Sequence, residues 1–170
     1  IYWNLREISS ETPRLRTKPS EHSHTALSDD GWRSLGEGGT VTPVAPPGTY
    51  TVRLKVGVLE FSQPLVVLKD PNSGGSEAGI REQVAMVQDL RTAVDSVVDL
   101  IDEIEWIRAQ IQLLEERVAD HADRDEIREA GNALEHQLID LEMMLFDVRM
   151  TGGTARQDTL RWPRRLYSRL

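Results

Sequence analysis

The strongest pattern along the chain is an apolar stripe. From Ile80 onward, apolar residues recur at Val84, Val87, Leu90, Val94, Val97, Ile101, Ile104, Ile107, Ile111, Leu114 and Val118, at spacings of three and four. Sustained over about forty residues, this predicts an amphipathic helix roughly 60 Å long, with a coiled-coil-like partner. Ser76 is placed to cap it, after a linker of Asp, Pro, Asn, Ser and Gly. Polar residues at 119–124 interrupt the stripe, and Asp123 or Asp125 can cap a second helix. Ile127, Ala130, Leu134, Leu138, Leu141, Leu145 and Val148 share one face of that helix, which Gly152 and Gly153 end. So short a connection predicts an antiparallel hairpin, in which Ala130 and Gly131 let the two backbones approach. The second helix is the shorter one, so the first needs other cover near 80–94. Leu160, Trp162, Leu166, Tyr167 and Leu170 are placed to supply it from a third short helix opened by Pro163.

A different period governs the first part of the chain. Residues 1–6 alternate, with Ile1, Trp3 and Leu5 on one side, which predicts a half-buried strand with Trp3 in the core. Residues 7–40 hold no period and read as a long loop. After the turn at Ala45, Pro46, Pro47 and Gly48, Tyr50, Val52, Leu54 and Val56 alternate with Thr51, Arg53 and Lys55. Gly57 opens a turn and residues 61–68 return as a second strand, with Pro64 marking an edge or a bulge. Leu65 and Val67 on one face, with Val66 and Leu68 on the other, predict cover on both sides, supplied by the helices. Two strands and a short third do not make a stable sheet. Further strands are therefore expected upstream of Ile1 or from a partner chain. The absence of an initiator Met and the pattern broken off at Leu170 also read as a piece of a longer protein.

Composition narrows the chemistry. The 170 residues are 39% hydrophobic, carry a net charge of −8 and hold no cysteine. Disulfides and thiolate metal sites are thereby excluded, while the compartment is left open. No apolar run is long enough to span a membrane. The acid is concentrated in the helical stretch, and Arg156, Arg161, Arg164, Arg165 and Arg169 make the tail basic. An acidic chain disfavours a nucleic-acid partner, and the tail reads as docking on its own acidic helices. His22 and His24, near Asp29 and Asp30, form an H-x-H pair that lacks the further ligands a zinc site needs, so they read as solvated loop residues. Neither His121 nor His136 follows a Glu at the three-residue spacing of a di-iron site. The helical acids read as a solvated face. Asp102, Glu103 and Glu105 beside Trp106 are the one acidic-aromatic cluster. No hydrolytic triad, phosphate loop or dinucleotide fingerprint is present. Two candidate binding residues are left, Trp32 in the long loop and Trp106 on the first helix. No catalytic residue, metal or cofactor is expected.

Three segments, in order, resemble one family. Residues 1–6 look like its N-R-x-x-W-D-L-R strand, with Asn4 where Asp is usual. The run from Ala45 through Pro-Gly-Thr-Tyr-Thr-Val-Arg-Leu, then Gln63-Pro64-Leu65-Val66-Val67 and Lys69-Asp70-Pro71, looks like its central segment. Gln157-Asp158, Arg161-Trp162-Pro163 and Leu166-Tyr167 look like its C-terminal signature. The chain thus resembles the C-terminal region of bacterial secreted sortilin-like β-propeller proteins with BNR repeats, often labelled glycosyl hydrolases. Its β part is similar to the immunoglobulin-like module of flagellar hook-capping proteins. The resemblance implies an upstream propeller holding any active site, and export to the periplasm or cell surface.

The expected architecture is α+β. A partial immunoglobulin-like β-sandwich at 1–72, with a long loop at 8–40, is joined by a linker at 73–76 to a helical hairpin. Its helices span about 77–119 and 124–150, and a tail helix spans about 162–170. The expected role is a non-catalytic structural or protein-interaction module. The alternatives are an accessory carbohydrate-binding part of a glycoside hydrolase, with Trp32 as stacking platform, and an oligomerisation element. The expected partners are the upstream propeller or another protein, a second copy through the hairpin, or a glycan.

Overall fold

The computed structural model describes residues 2–19, 22–34 and 40–149. The expected tail helix, the cover it was to supply and the basic tail lie outside the described residues. The architecture is α+β: two very short strands, β1 (Arg14–Leu15) and β2 (Arg33–Ser34), a two-stranded antiparallel hairpin, then two long packed helices. No sandwich forms among the described residues. The chain divides into two compact units, each discontinuous in sequence: residues 1–9 with 41–91, and residues 10–40 with 92–170.

In the first unit, β3 (Gly48–Val56) and β4 (Leu59–Val67) pair antiparallel from Gly48↔Val67 to Val56↔Leu59. Gly57 sits at φ +60 as first residue of the two-residue connection, where an L side chain would be strained. Register decides the faces, because directly opposed residues point the same way. Tyr50, Val52, Leu54 and Val56 oppose Leu65, Gln63, Phe61 and Leu59, which makes one almost wholly apolar face. Val66 opposes Thr49 on the polar face. The ribbon starts two residues earlier in β4 than the pattern predicts, and the expected cover on both sides is not there. Val52, Leu54, Val56, Leu59, Phe61 and Val66 are all about half exposed or more.

Residues 2–6, the described part of the expected first strand, do not form it. Leu5 takes a left-handed backbone (φ 62), which breaks the alternation. What remains is a single bridge, Arg6↔Val44, flanked by Glu7 N–H to the Pro43 carbonyl and Ala45 N–H to the Leu5 carbonyl. Trp3 is exposed rather than core. Its Nε1–H bonds the Arg6 carbonyl at 2.9 Å, and its ring lies edge-on to Tyr50.

Helix α1 (Glu77–Arg117) begins where Ser76 caps it, its Oγ accepting the Gly79 N–H at 3.0 Å. Helix α2 (Arg124–Leu145) comes after a short turn. Asp123 stands at its N-cap position but makes no side-chain cap, pairing instead with His121. The helices run antiparallel: Gln112 and Arg108 meet Glu135, and Arg108, a turn earlier, meets Glu142, a turn and more later. A methyl group on Gly131 would stand 3.3 Å from Ile111 and 3.2 Å from Glu115, so this glycine does set a close approach. Ala130 lies outside the seam and is exposed. Helix α2 ends at Leu145, not near residue 150. Phe146 is extended, and Asp147 turns back to accept the Arg149 N–H and guanidinium, an Asx-type turn that competes with helix.

Candidate functional site

In the second unit, the expected long loop is in part an ordered strap. Pro13, Leu15, Thr17 and Pro19 are buried, while Arg14 and Lys18 between them are exposed. The strap forms only a two-residue ladder, β1 with β2, so most of its backbone donors need other partners. Acids on α1 provide them. Asp95 accepts the Glu11 N–H and Asp102 accepts the Arg14 N–H, each at 2.7 Å. Glu105 accepts the N–H groups of both Arg16 and Thr17. The spacing is commensurate. Three extended residues rise about 10 Å, and so do seven helical residues. Asp95 and Asp102 therefore meet Glu11 and Arg14 in register.

This arrangement corrects the reading of the helical acids as a solvated face at Asp95, Asp102 and Glu105, while Asp99, Glu103, Glu116, Glu126 and Glu129 are exposed as expected. It also rotates the buried stripe. Val94, Val98, Ile101, Ile104 and Ile111 are buried on α1 together with Glu105 and Arg108. On α2, Glu142 is buried and Glu135 half-buried, while Leu134 and Leu141, expected inside, are 45% and 44% exposed.

At the centre stands a buried cluster of charge. Glu105 is inaccessible, and besides the two strap N–H groups it accepts the Thr17 hydroxyl at 2.7 Å and Arg108 Nη1 at 3.0 Å. Arg108 Nη1 also reaches Glu142 Oε2 at 2.6 Å, and its Nη2 reaches Glu135 at 3.4 Å. Arg33, buried on β2, donates Nε–H to the Thr17 carbonyl and Nη2 to the Val148 carbonyl, each at 3.0 Å. It thereby ties the strap to the segment after α2. Burial lowers its pKa below the usual guanidinium value, against the raising effect of Glu105 and Glu142. Glu142 is driven the other way: burial first, then the Glu105 charge, raises its pKa to about 8.

Beside this cluster opens a cleft of about 550 Å³, lined by Lys18, Gln112, Glu135, His136, Asp140 and Arg149 among others. His136 Nδ1 lies 2.7 Å from the Asn132 carbonyl, so Nδ1 carries the proton and the ring is pinned to its own helix. Both signs of charge line the cleft, which suits a mixed-charge ligand better than an anion or a cation.

The residues singled out in the sequence fall elsewhere. Trp106 is 56% exposed, with the Arg16 guanidinium of the strap 5.1 Å from its ring centroid. Trp32 is half-buried, and its carbonyl accepts the Ser28 N–H. No ring contact joins the two tryptophans. His22 and His24 come together edge to face at 5.9 Å. Among the described residues no group of three or more His, Asp or Glu could hold a metal, and no helix is long and apolar enough to cross a membrane. Arg33, Arg108 and Glu142 escaped the sequence reading, and Glu105 was noted only as part of the acidic cluster beside Trp106. One signal pointed to the strap: Arg14, Arg16 and Lys18 alternate with Pro13, Leu15, Thr17 and Pro19, a period of two inside the supposed loop.

In the first unit, the apolar face of the β3–β4 ribbon is exposed. Along it Phe61 is 55%, Leu54 47% and Leu59 59% exposed. Compared with family models, curated proteins and solved structures, the chain matches none.

Proposed function

We propose that this chain is a non-catalytic structural and protein-interaction module that docks through the apolar face of the β3–β4 ribbon onto another β-layer. The observation that carries this reading is the pairing register, which puts Val52, Leu54, Val56, Leu59, Phe61 and Leu65 on one exposed face without a charge among them. Nine residues of antiparallel strand make that face about 30 Å long. A two-stranded hairpin is marginal by itself, so a covering layer adds stability as well as affinity. An uncharged face of period two fits the apolar side of a second sheet, packed about 10 Å away, better than it fits a polyanion. The resemblance to secreted β-propeller proteins supports an upstream propeller of the same exported polypeptide as the source of that layer.

An open ribbon of this kind is also its own available β-layer, which makes the reading testable on this chain. Light scattering across a dilution series should show concentration-dependent association. The Leu54→Glu/Phe61→Glu variant should be monomeric at every concentration, with unchanged helical circular dichroism. A wild type that stays monomeric throughout, indistinguishable from the variant, would remove the support for an exposed docking face. A second reading, a helical oligomerisation element joining two copies, is favoured by the exposed Leu113, Leu114, Leu134 and Leu141 and by a groove of about 530 Å³ along Ile107, Ile111 and Leu114. Association lost in Leu134→Glu/Leu141→Glu, and kept in the ribbon variant, would select it.

A further inference from the structure

We propose that Glu142 is a neutral carboxylic acid in the folded protein, and that its proton, shared with Glu105, latches α2 to α1 and the strap. The two carboxyl groups are equally inaccessible but unequally served. Glu105 receives four donors: the Arg16 and Thr17 N–H groups, the Thr17 hydroxyl and Arg108 Nη1. Glu142 receives one donor, Arg108 Nη1 on Oε2, and that donor is shared with Glu105. Its other oxygen, Oε1, is buried and has no hydrogen-bond partner among the described residues. Yet the Glu105 side chain lies within hydrogen-bonding reach of Glu142. Two carboxylates cannot bond each other without a proton. A proton on Glu142 removes the repulsion and turns the contact into a donor–acceptor pair.

The surroundings bear this out element by element. From α1, Glu105 and Arg108 face Glu142. On α2 itself, Glu135 draws on the far side of the same guanidinium. From β2, Arg33 is electrostatically coupled to Glu142, but its Nε and Nη2 donate to the carbonyls of Thr17 and Val148. Beyond the helix end, Asp147 is closed by Arg149. One guanidinium therefore serves a neutral acid and two carboxylates. Ionising Glu142 adds a third negative group around one guanidinium, whose buried Nε makes no hydrogen bond to any of them. The elements that meet here are α1, the strap at Arg16 and Thr17, and the last turn of α2, so the loss of one proton loosens all three together.

Folded-state burial raises the Glu142 pKa to about 8 from 4.5, so the contribution is full below pH 4.5 and is lost as pH rises through 8. Between pH 5 and 8 the folded-to-unfolded ratio should fall by a factor of about four hundred from this group, somewhat less than tenfold per pH unit. Glu142→Gln carries a permanent donor in the same shape and should remove that slope. Two measurements test the proposal on the intact chain. A carbon-13 NMR titration should place the Glu142 carboxyl midpoint near 8; a midpoint near 4.5 overturns it. Urea unfolding of wild type and Glu142→Gln at pH 5, 6, 7 and 8 should give a falling wild-type profile and a flatter variant one. Parallel profiles overturn it as well. If the variant does not fold, the titration alone decides.

Discussion

Glu105 and Glu142 are both inaccessible to solvent, yet four donors reach Glu105 and one reaches Glu142. Glu105 shows what a buried carboxylate can do without chemistry: it terminates an extended segment that lacks a strand to pair with. Removing it leaves the Arg16 and Thr17 N–H groups and the Thr17 hydroxyl buried or half-buried without an acceptor, and leaves Arg108 short of a counter-charge. Glu105→Ala should therefore destabilise the protein by about 3–5 kcal/mol in urea unfolding, the range for breaking a buried ion pair from one side. Glu142→Gln should behave oppositely near pH 8, where it replaces an acid that resists ionising. These residues were illegible in the sequence. An acid on a helix rich in acid reads as surface, because composition records that the side chain is charged and not how many donors wait for it.

At the scale of elements, the strap and the helix face carry the next two predictions. Asp102 caps the exposed Arg14 N–H and lies 3.8 Å from its guanidinium. Water can replace that cap in Asp102→Ala, so the cost should be only about 1 kcal/mol, with faster hydrogen exchange at Arg14 and little change elsewhere. Gly131→Leu is different in kind. Its side chain would run into Ile111, already 3.3 Å from where a first carbon would stand, and overpacking of that sort costs about 1–3 kcal/mol. A thermal midpoint equal to wild type would mean the seam is looser than the structure shows. Both helices, the antiparallel turn and the Ser76 cap were legible, since period and capping are local. The face of α2 was not. Ile127, Leu138 and Leu145 fit two adjacent stripes, one completed by Leu134 and Leu141 and the other by Glu135 and Glu142. Apolar count favours the first; Arg108 on the facing helix selects the second.

At the scale of the whole molecule, the net charge of −8 says less about partners than its size suggests. Asp95, Asp102, Glu105, Glu135 and Glu142 are spent on the chain's own backbone and on Arg108. In the function proposed above, the uncharged ribbon face is the one that meets a partner. Phe61→Glu alone should lower the tendency to associate severalfold by light scattering while leaving the unfolding midpoint within a few degrees, because Phe61 is already 55% exposed. A large drop in midpoint would instead assign the ribbon face to the protein's own stability.

By itself the sequence determined the α+β class, the two helices, the β3–β4 hairpin with its turn at Gly57, and the alternation that puts Tyr50, Val52, Leu54 and Val56 on one face of β3. All of these stem from periods of two and near 3.6, and from residues that begin or end elements within a few positions. Only the tertiary structure decided that residues 10–19 form a strap rather than a free loop. It also decided that residues 2–6 make one bridge rather than a strand, and that Glu105, Arg108 and Glu142 lie inside. Those outcomes rest on partners more than seventy residues away for the strap and more than thirty for the Arg108–Glu142 pair. A backbone donor or a buried charge is satisfied by whatever the fold brings to it, and no local pattern encodes that partner.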